Sequence, residues 1–115
     1  MRRVVTVQKE DGTVVCERCL IADSMWLRMK GLLGRADLPE NEGILITPCS
    51  SIHMFFMGFA IDAVFLDRDL QVLKVVPRLR PWRMAARLRA RSVLELAAGA
   101  CERRGVQVGD RLSLD

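Results

Sequence analysis

From Arg3 to Leu114 the chain is a succession of short Val-, Ile- and Leu-rich runs, broken about every ten residues by Gly, Pro, Asp or Asn. That rhythm leaves little room for long helices and reads as many short strands closing on a shared core. Arg3–Val7 and Thr13–Leu20 flank Lys9–Gly12, where Asp11-Gly12 is a strong hairpin signal. Gly43–Thr47 reads as a buried strand stopped by Pro48. Ser51–Met57 and Ile61–Leu66 read as a hairpin turning at Gly58-Phe59-Ala60, with further strands at Gln71–Val76 and Ser92–Leu96. The last residues, Val106–Leu114, read as a strand bent at Gly109-Asp110.

One segment breaks the pattern. Asp23 or Ser24 can cap a helix, Met25, Met29, Leu32 and Leu33 share one helical stripe, and Gly34 is placed to end it. A helix is therefore expected over about Asp23 to Leu33, and a short helical turn over about Gly99 to Arg104. The expected architecture is a single mostly β domain over residues 1–115. It is a compact barrel or sandwich of mainly antiparallel strands with one packed helix.

With 115 residues, 50% hydrophobic and 28% charged, the chain can bury a core without disulfides or metal. No stretch reaches the roughly 18 apolar residues needed to span a bilayer. The opening MRRVVTVQKEDG lacks an apolar run of signal-peptide length, so a cytoplasmic location is expected. Four cysteines in such a setting are expected as reduced thiols.

Cys16 and Cys19 have zinc-knuckle or redox spacing, and Cys49 with His53 would complete a ligand set. The setting argues otherwise. TVVCERCLIA reads as strand, where residues three apart face opposite ways, and only a bulge or turn at Glu17-Arg18 would bring the sulfurs together. Met54, Met57 and His53 as a copper set is weaker still, because Met beside Phe is ordinary core material. No metal or cofactor is expected.

RMKGLLGRADLPENEGILI, IHMFFMGFAIDAVFLDRD and VLELAAGACERRGVQVGDRLSL occur in one order and spacing. Together they resemble the prokaryotic family termed domain of unknown function 192, from about Ala22 to Leu114. The matching residues are Arg28, Gly31, Leu32, Gly34 and Arg35, then Gly43, His53, Phe56, Met57, Ile61 and Asp62, then Leu94, Glu95, Gly99, Gly105 and Gly109. The resemblance implies a β-barrel or sandwich with a packed helix and implies no reaction. Met54 and Ala60 stand where relatives commonly have Thr after the His and Pro before the Ile-Asp pair. The missing Thr hydroxyl weakens any working partnership for His53.

Asp62, Glu95, His53, Arg28 and Arg35 are the polar residues in apolar company. Buried charges need partners, so the ordinary reading is a polar cluster clamping the helix to the sheet. The same residues suit a small-anion site near Arg28 and Arg35. An Asp62/Glu95 pair with His53 suits acid–base catalysis. The expected hairpin leans against the last, since Asp62 would oppose Phe56 and His53 would oppose Phe65, on opposite faces.

Lys74–Arg91 holds seven basic residues and no acid, more than the net charge of +4 of the whole chain. Read as strands, Arg78 and Arg80 share one face, as do Arg87, Arg89 and Arg91, with Trp82 in the loop between. Such an arm is either a solvated edge that discourages pairing or a docking surface for an acidic protein or anionic headgroup. Sequence-specific nucleic-acid readout is not expected, as no recognition helix is visible. A non-enzymatic binding or accessory domain is preferred, with a small enzyme centred on Asp62, Glu95 and His53 as the alternative.

Overall fold

The structure is a computed structural model that describes residues 3–24, 27, 28, 32, 34–55 and 57–115. Seven strands form one sheet in the order β6-β5-β8-β3-β2-β1-β9, and two more form a separate ribbon, β4-β7. The strands are β1 Arg3–Lys9, β2 Val14–Ala22, β3 Glu42–Ile46, β4 Ser51–His53 and β5 Ile61–Leu66. They continue with β6 Val72–Leu79, β7 Met84–Ala86, β8 Ser92–Ala97 and, after helix α1 at Ala100–Arg104, β9 Leu112–Leu114. The mostly β expectation and the short turn of helix near Gly99–Arg104 both hold. Every pairing in the sheet is antiparallel except β2 with β3, whose long connection carries the chain back to run alongside.

The hairpin between β1 and β2 forms where expected. Gly12 sits at φ 91° and Asp11 accepts a hydrogen bond from the Thr13 N–H at 2.9 Å. The centre of the sheet is β5 and β8, buried along their whole lengths on both faces. Alternate side chains feed two cores. Val64, Leu66, Leu94 and Leu96 enter an inner core with Val7, Val15 and Ile21. Ala63, Phe65 and Val93 enter an outer core with Ile44, Ile46, Ile52 and Met54. The sheet curls around the inner core until its two edge regions meet. The Val72 N–H donates to Asp110 O at 2.8 Å, the Leu112 N–H to Leu70 O at 2.9 Å, and Gln71 bridges Arg111. The result is a half-barrel.

The expected hairpin of Ser51–Met57 with Ile61–Leu66 does not form. β4 pairs with β7, and β5 pairs with β6 and β8. The reason is burial: β5 has two apolar faces and is drawn to the middle of the sheet, whereas β4 buries only Ile52 and leaves Ser51 and His53 exposed. Residues 87–91 are likewise not a strand. They turn, with Arg89 at φ 73° and the Ala90 N–H donating to Arg87 O at 3.2 Å. Only Leu112–Leu114 of the expected last strand is extended in the sheet.

Most of the expected helix over Asp23–Leu33 lies outside the described residues, which exclude Met25, Met29, Gly31 and Leu33 of that reading. Leu27 and Arg28 are helical. Ser24 caps them, its Oγ accepting from the Leu27 N–H at 3.1 Å, and its carbonyl accepts from the Arg28 N–H at 2.9 Å. Gly34 has φ 85°, as a helix-ending glycine does, and Leu32 is buried in the outer core.

Gly43, on β3, is packed tightly against the inner core and the β8 backbone. A Cβ there would lie 3.0 Å from Cys16 Sγ, the Glu95 carbonyl oxygen and Leu96 Cδ2 at once. Gly43→Ala should therefore cost about 1–3 kcal/mol by overpacking, read as a lowered urea midpoint. An unchanged midpoint would show that β3 and β8 can separate freely.

Candidate functional site

The five polar residues singled out in the sequence do not form one cluster. Asp62 pairs in register with Leu96, and Ala63 with Glu95. Directly paired residues share a face and neighbours along a strand do not, so the two carboxylates occupy opposite faces of the sheet. Both are buried. His53 is exposed on the ribbon, and Arg35 is on the surface with Glu42, 3.2 Å away. A general acid–base centre requires groups within hydrogen-bond reach of one substrate, and Asp62 and Glu95 are not so placed.

Asp62 is a structural acceptor. Its Oδ1 accepts the Arg78 N–H at 2.8 Å and the Gly99 N–H at 2.9 Å, and its Oδ2 accepts the Cys101 N–H at 2.9 Å. It thus binds the end of β6 and the start of α1 to the central strand. Burial pushes the Cys101 thiol up to about 12, with the Asp62 charge adding to it. Asp62→Ala should lower stability by about 3–5 kcal/mol, because three backbone donors, two of them buried, lose their acceptor. Asp62→Asn keeps the two bonds to Oδ1 and should lose about half as much. Urea denaturation of the two variants checks the order.

Glu95 faces the outer core, close enough to Cys49 for its charge to help hold that thiol above its usual range, where burial is the main cause. Arg28 opposes this effect. Its guanidinium donates to Pro48 O at 3.1 Å, while its Nε is buried without a hydrogen-bond partner among the described residues. Burial raises Glu95 to about 7. The folded protein therefore holds a proton that the unfolded chain has released, and unfolding is favoured as pH rises from about 4.5 to about 7. Above that window the penalty is complete. Relative to Glu95→Gln, the wild type should lose about 3 kcal/mol between pH 4 and pH 8, measured by denaturant midpoints at each pH. Parallel pH profiles would show that the carboxylate stays charged in the fold.

The expectation that Cys16 and Cys19 face opposite ways is corrected. In β1, Val5 and Val7 are two residues apart, yet they pair with Cys19 and Cys16, three apart. The extra residue is a β-bulge, with Glu17 and Arg18 thrown outward and both thiols turned into the inner core. The Cys16 Sγ donates to Asn41 O at 3.7 Å and the Cys19 Sγ to Leu20 O at 3.8 Å, and the interaction between the two thiols pulls Cys16 down and pushes Cys19 up, burial adding to the second. Cys49 packs against the outer core and His53 is exposed, so the disfavoured four-ligand set is not assembled. Among the described residues no three His, Cys, Asp or Glu side chains are grouped to hold a metal ion.

The most distinctive exposed feature is on the β4-β7 ribbon. His53 stacks on Phe55 with ring centroids 4.8 Å apart, and Phe55 stacks on Trp82 at 5.8 Å. Trp82 is 60% exposed and sits at φ 68° in the turn before β7, its N–H bonded to Met54 O at 2.8 Å. Met84, 67% exposed, pairs in register with His53. Arg80 and Arg83 flank the indole in sequence and are exposed. Arg78 is exposed and pairs with Glu102 at 3.6 Å, Arg87 is half-buried, and Arg89 and Arg91 are exposed in and after the turn. The sequence marks Trp82 and the arginines. The stack escapes it because Phe55 and Trp82 are brought together only by the ribbon pairing, which the hairpin expectation excluded.

The family model DUF192, described as Uncharacterized ACR, COG1430, matches residues 5–114. The chain belongs to this family. Among curated DUF192 relatives, a UPF0127 protein of Thermococcus sibiricus is 32% identical, across 92% of this chain and 71% of its own. The UPF0127 protein PH1112 of Pyrococcus horikoshii is 36% identical, across 80% of this chain and 83% of its own. Two crystal structures share the fold. One, of a protein of unknown function from Novosphingobium aromaticivorans, has a TM-score of 0.82 at 24% identity, covering 97% of this chain and 84% of that one. The other, from Sinorhizobium meliloti, has a TM-score of 0.81 at 22% identity, covering 99% and 94%. Among the described residues, this DUF192 chain has no helix long and apolar enough to cross a membrane.

Proposed function

We propose that this domain is a non-enzymatic binding module that docks an acidic protein segment on its β4-β7 ribbon. The observation that carries the reading is the His53–Phe55–Trp82 stack, with His53 and Trp82 exposed and Trp82 lying within Lys74–Arg91, the stretch that holds seven basic residues and no acid. Aromatic rings with flat exposed faces give contact area at low entropic cost, and arginines beside them pair with carboxylates. Separation of Asp62, Glu95 and His53 into three environments supports binding over acid–base catalysis. The reading places the domain in the cytoplasm, in keeping with four free thiols.

On this reading the basic surface draws on Arg78 at the end of β6 and on turn and loop residues beyond it, with Arg80 and Arg83 near Trp82 as its centre and Arg87, Arg89 and Arg91 along its length. Retention on heparin and binding of poly-glutamate should both weaken as salt rises, because ions screen exposed charges within about 10 Å at 0.1 M salt. Arg80→Glu with Arg83→Glu should cut poly-glutamate affinity at least tenfold while the thermal midpoint is kept. Trp82→Ala should weaken an acidic peptide containing aromatic residues more than it weakens poly-glutamate. Wild-type affinity in the double variant, or tighter binding of single-stranded oligonucleotide than of poly-glutamate, would defeat the proposal.

A further inference from the structure

Two polar groups of opposite kind are buried without a partner on the outer face of the sheet. Glu95 is 6% exposed, and its carboxyl has no hydrogen bond or ion pair among the described residues. Arg28 Nε is buried and has no hydrogen-bond partner among them either, although the same guanidinium donates to Pro48 O at 3.1 Å. Elsewhere the fold satisfies such groups. Asp62 takes three backbone donors, and Arg104 is shared between Glu17 and Glu40. Buried polar groups are nearly always bonded, so two exceptions in one place call for a cause.

The strand register places both beside one thiol. Glu95 pairs with Ile44, and Val93 pairs with Ile46. Ile44, Ile46 and Val93 belong to the outer core, so Glu95 faces it too. Beyond β3 the chain stays next to β8, since the Cys49 N–H donates to Arg91 O at 2.8 Å, and Cys49 packs on the same core. The charges of Glu95 and Arg28 both act on the Cys49 thiol, yet no ion pair joins them. Cys49 and Arg28 are half-buried, and Pro48 and Ser50 are exposed, so this corner of the outer core reaches solvent.

We propose that Arg28, Cys49 and Glu95 form a binding site for a small neutral carboxamide. Its carbonyl oxygen accepts the Arg28 Nε–H, its NH₂ donates to the Glu95 carboxyl, and Cys49 forms the wall between. Arg28 Nε can only donate and a carboxylate can only accept, so the ligand must offer both functions. An anion would pair with Arg28 and set a like charge against Glu95, and a cation would reverse the fault. A hydroxyl carries donor and acceptor on one oxygen. Arg28 and Glu95 stand on separate elements without meeting, and an amide presents its acceptor and donor on two atoms in fixed directions. The Cys49 S–H is already engaged with Ser51 O at 3.1 Å, which leaves the sulfur a contact surface.

Acetamide, acetate, methylammonium and ethanol are suitable probes, titrated into the full-length protein labelled for amide NMR. Acetamide should shift the resonances of Cys49, Val93 and Glu95 saturably, and the other three should not. Glu95→Leu should abolish that saturable response. It also removes a buried carboxyl, so its denaturant midpoint at pH 8 should rise, which separates lost binding from lost folding. Arg28→Met should weaken acetamide at least tenfold, and Cys49→Ala should weaken it less than threefold. Non-saturable shifts would mean that only water bridges the two groups. That result, an equal response to ethanol or acetate, or full acetamide affinity in Glu95→Leu would overturn the inference. Poly-glutamate affinity should be unchanged in Glu95→Leu and Arg28→Met, so this proposal and the ribbon proposal can fail separately.

Discussion

Three backbone N–H groups converging on Asp62 hold the arrangement together. One carboxylate at the start of the central strand serves the end of β6, through Arg78, and the β8–α1 turn, through Gly99 and Cys101. The Arg78 backbone has φ 49° and Gly99 has φ 86°, so neither donor belongs to a regular strand or helix ladder. Buried N–H groups without an acceptor would cost the fold heavily. With Asp62 in place, β6 can leave the sheet toward the ribbon, and α1 can start directly after β8. Arg104 of α1 then fastens the other side, with Glu17 of the β2 bulge and Glu40 before β3 each 3.1 Å away.

The central strands also explain why the polar residues have such different fates. Because β5 and β8 are buried on both faces, every side chain on them must enter one core or the other. Asp62 enters where backbone donors await it. Glu95 enters the outer core, where burial raises it to about 7 and no hydrogen bond is seen for its carboxylate among the described residues. The first is an acceptor with three backbone donors, and the second is a source of pH sensitivity. Proximity in sequence patterning says nothing of this division. It follows from a one-residue difference in register.

Curling and covering leave two kinds of surface. The inner core is closed along its sides by the sheet itself and opens at the mouth where Arg3, Arg68 and Arg91 stand. The outer core is covered by the ribbon, whose Ile52 and Met54 point inward while His53, Phe55 and Trp82 stack outside.

Local chemistry is what the sequence by itself determined. Asp11-Gly12 turned the first hairpin, Ser24 capped the helical segment, and Ala100–Arg104 ended at Gly105 in the left-handed region. The mostly apolar runs Ile61–Leu66 and Ser92–Leu96, each interrupted by a carboxylate, marked the buried strands, and the motifs around them marked the family. These features depend on a few neighbouring residues, which is why they are legible. Pairing was decided only by the tertiary structure. Ser51–His53 can satisfy its backbone with any adjacent strand, and it pairs with Met84–Ala86 because β5 is claimed on both sides by β6 and β8. The β2 bulge that joins Cys16 to Cys19 has no local signal, since it is imposed by the partner strand. The aromatic stack and the arginine-rimmed mouth are built from residues far apart in the chain. Their closeness comes from burying two apolar faces at once, a demand that no single segment expresses.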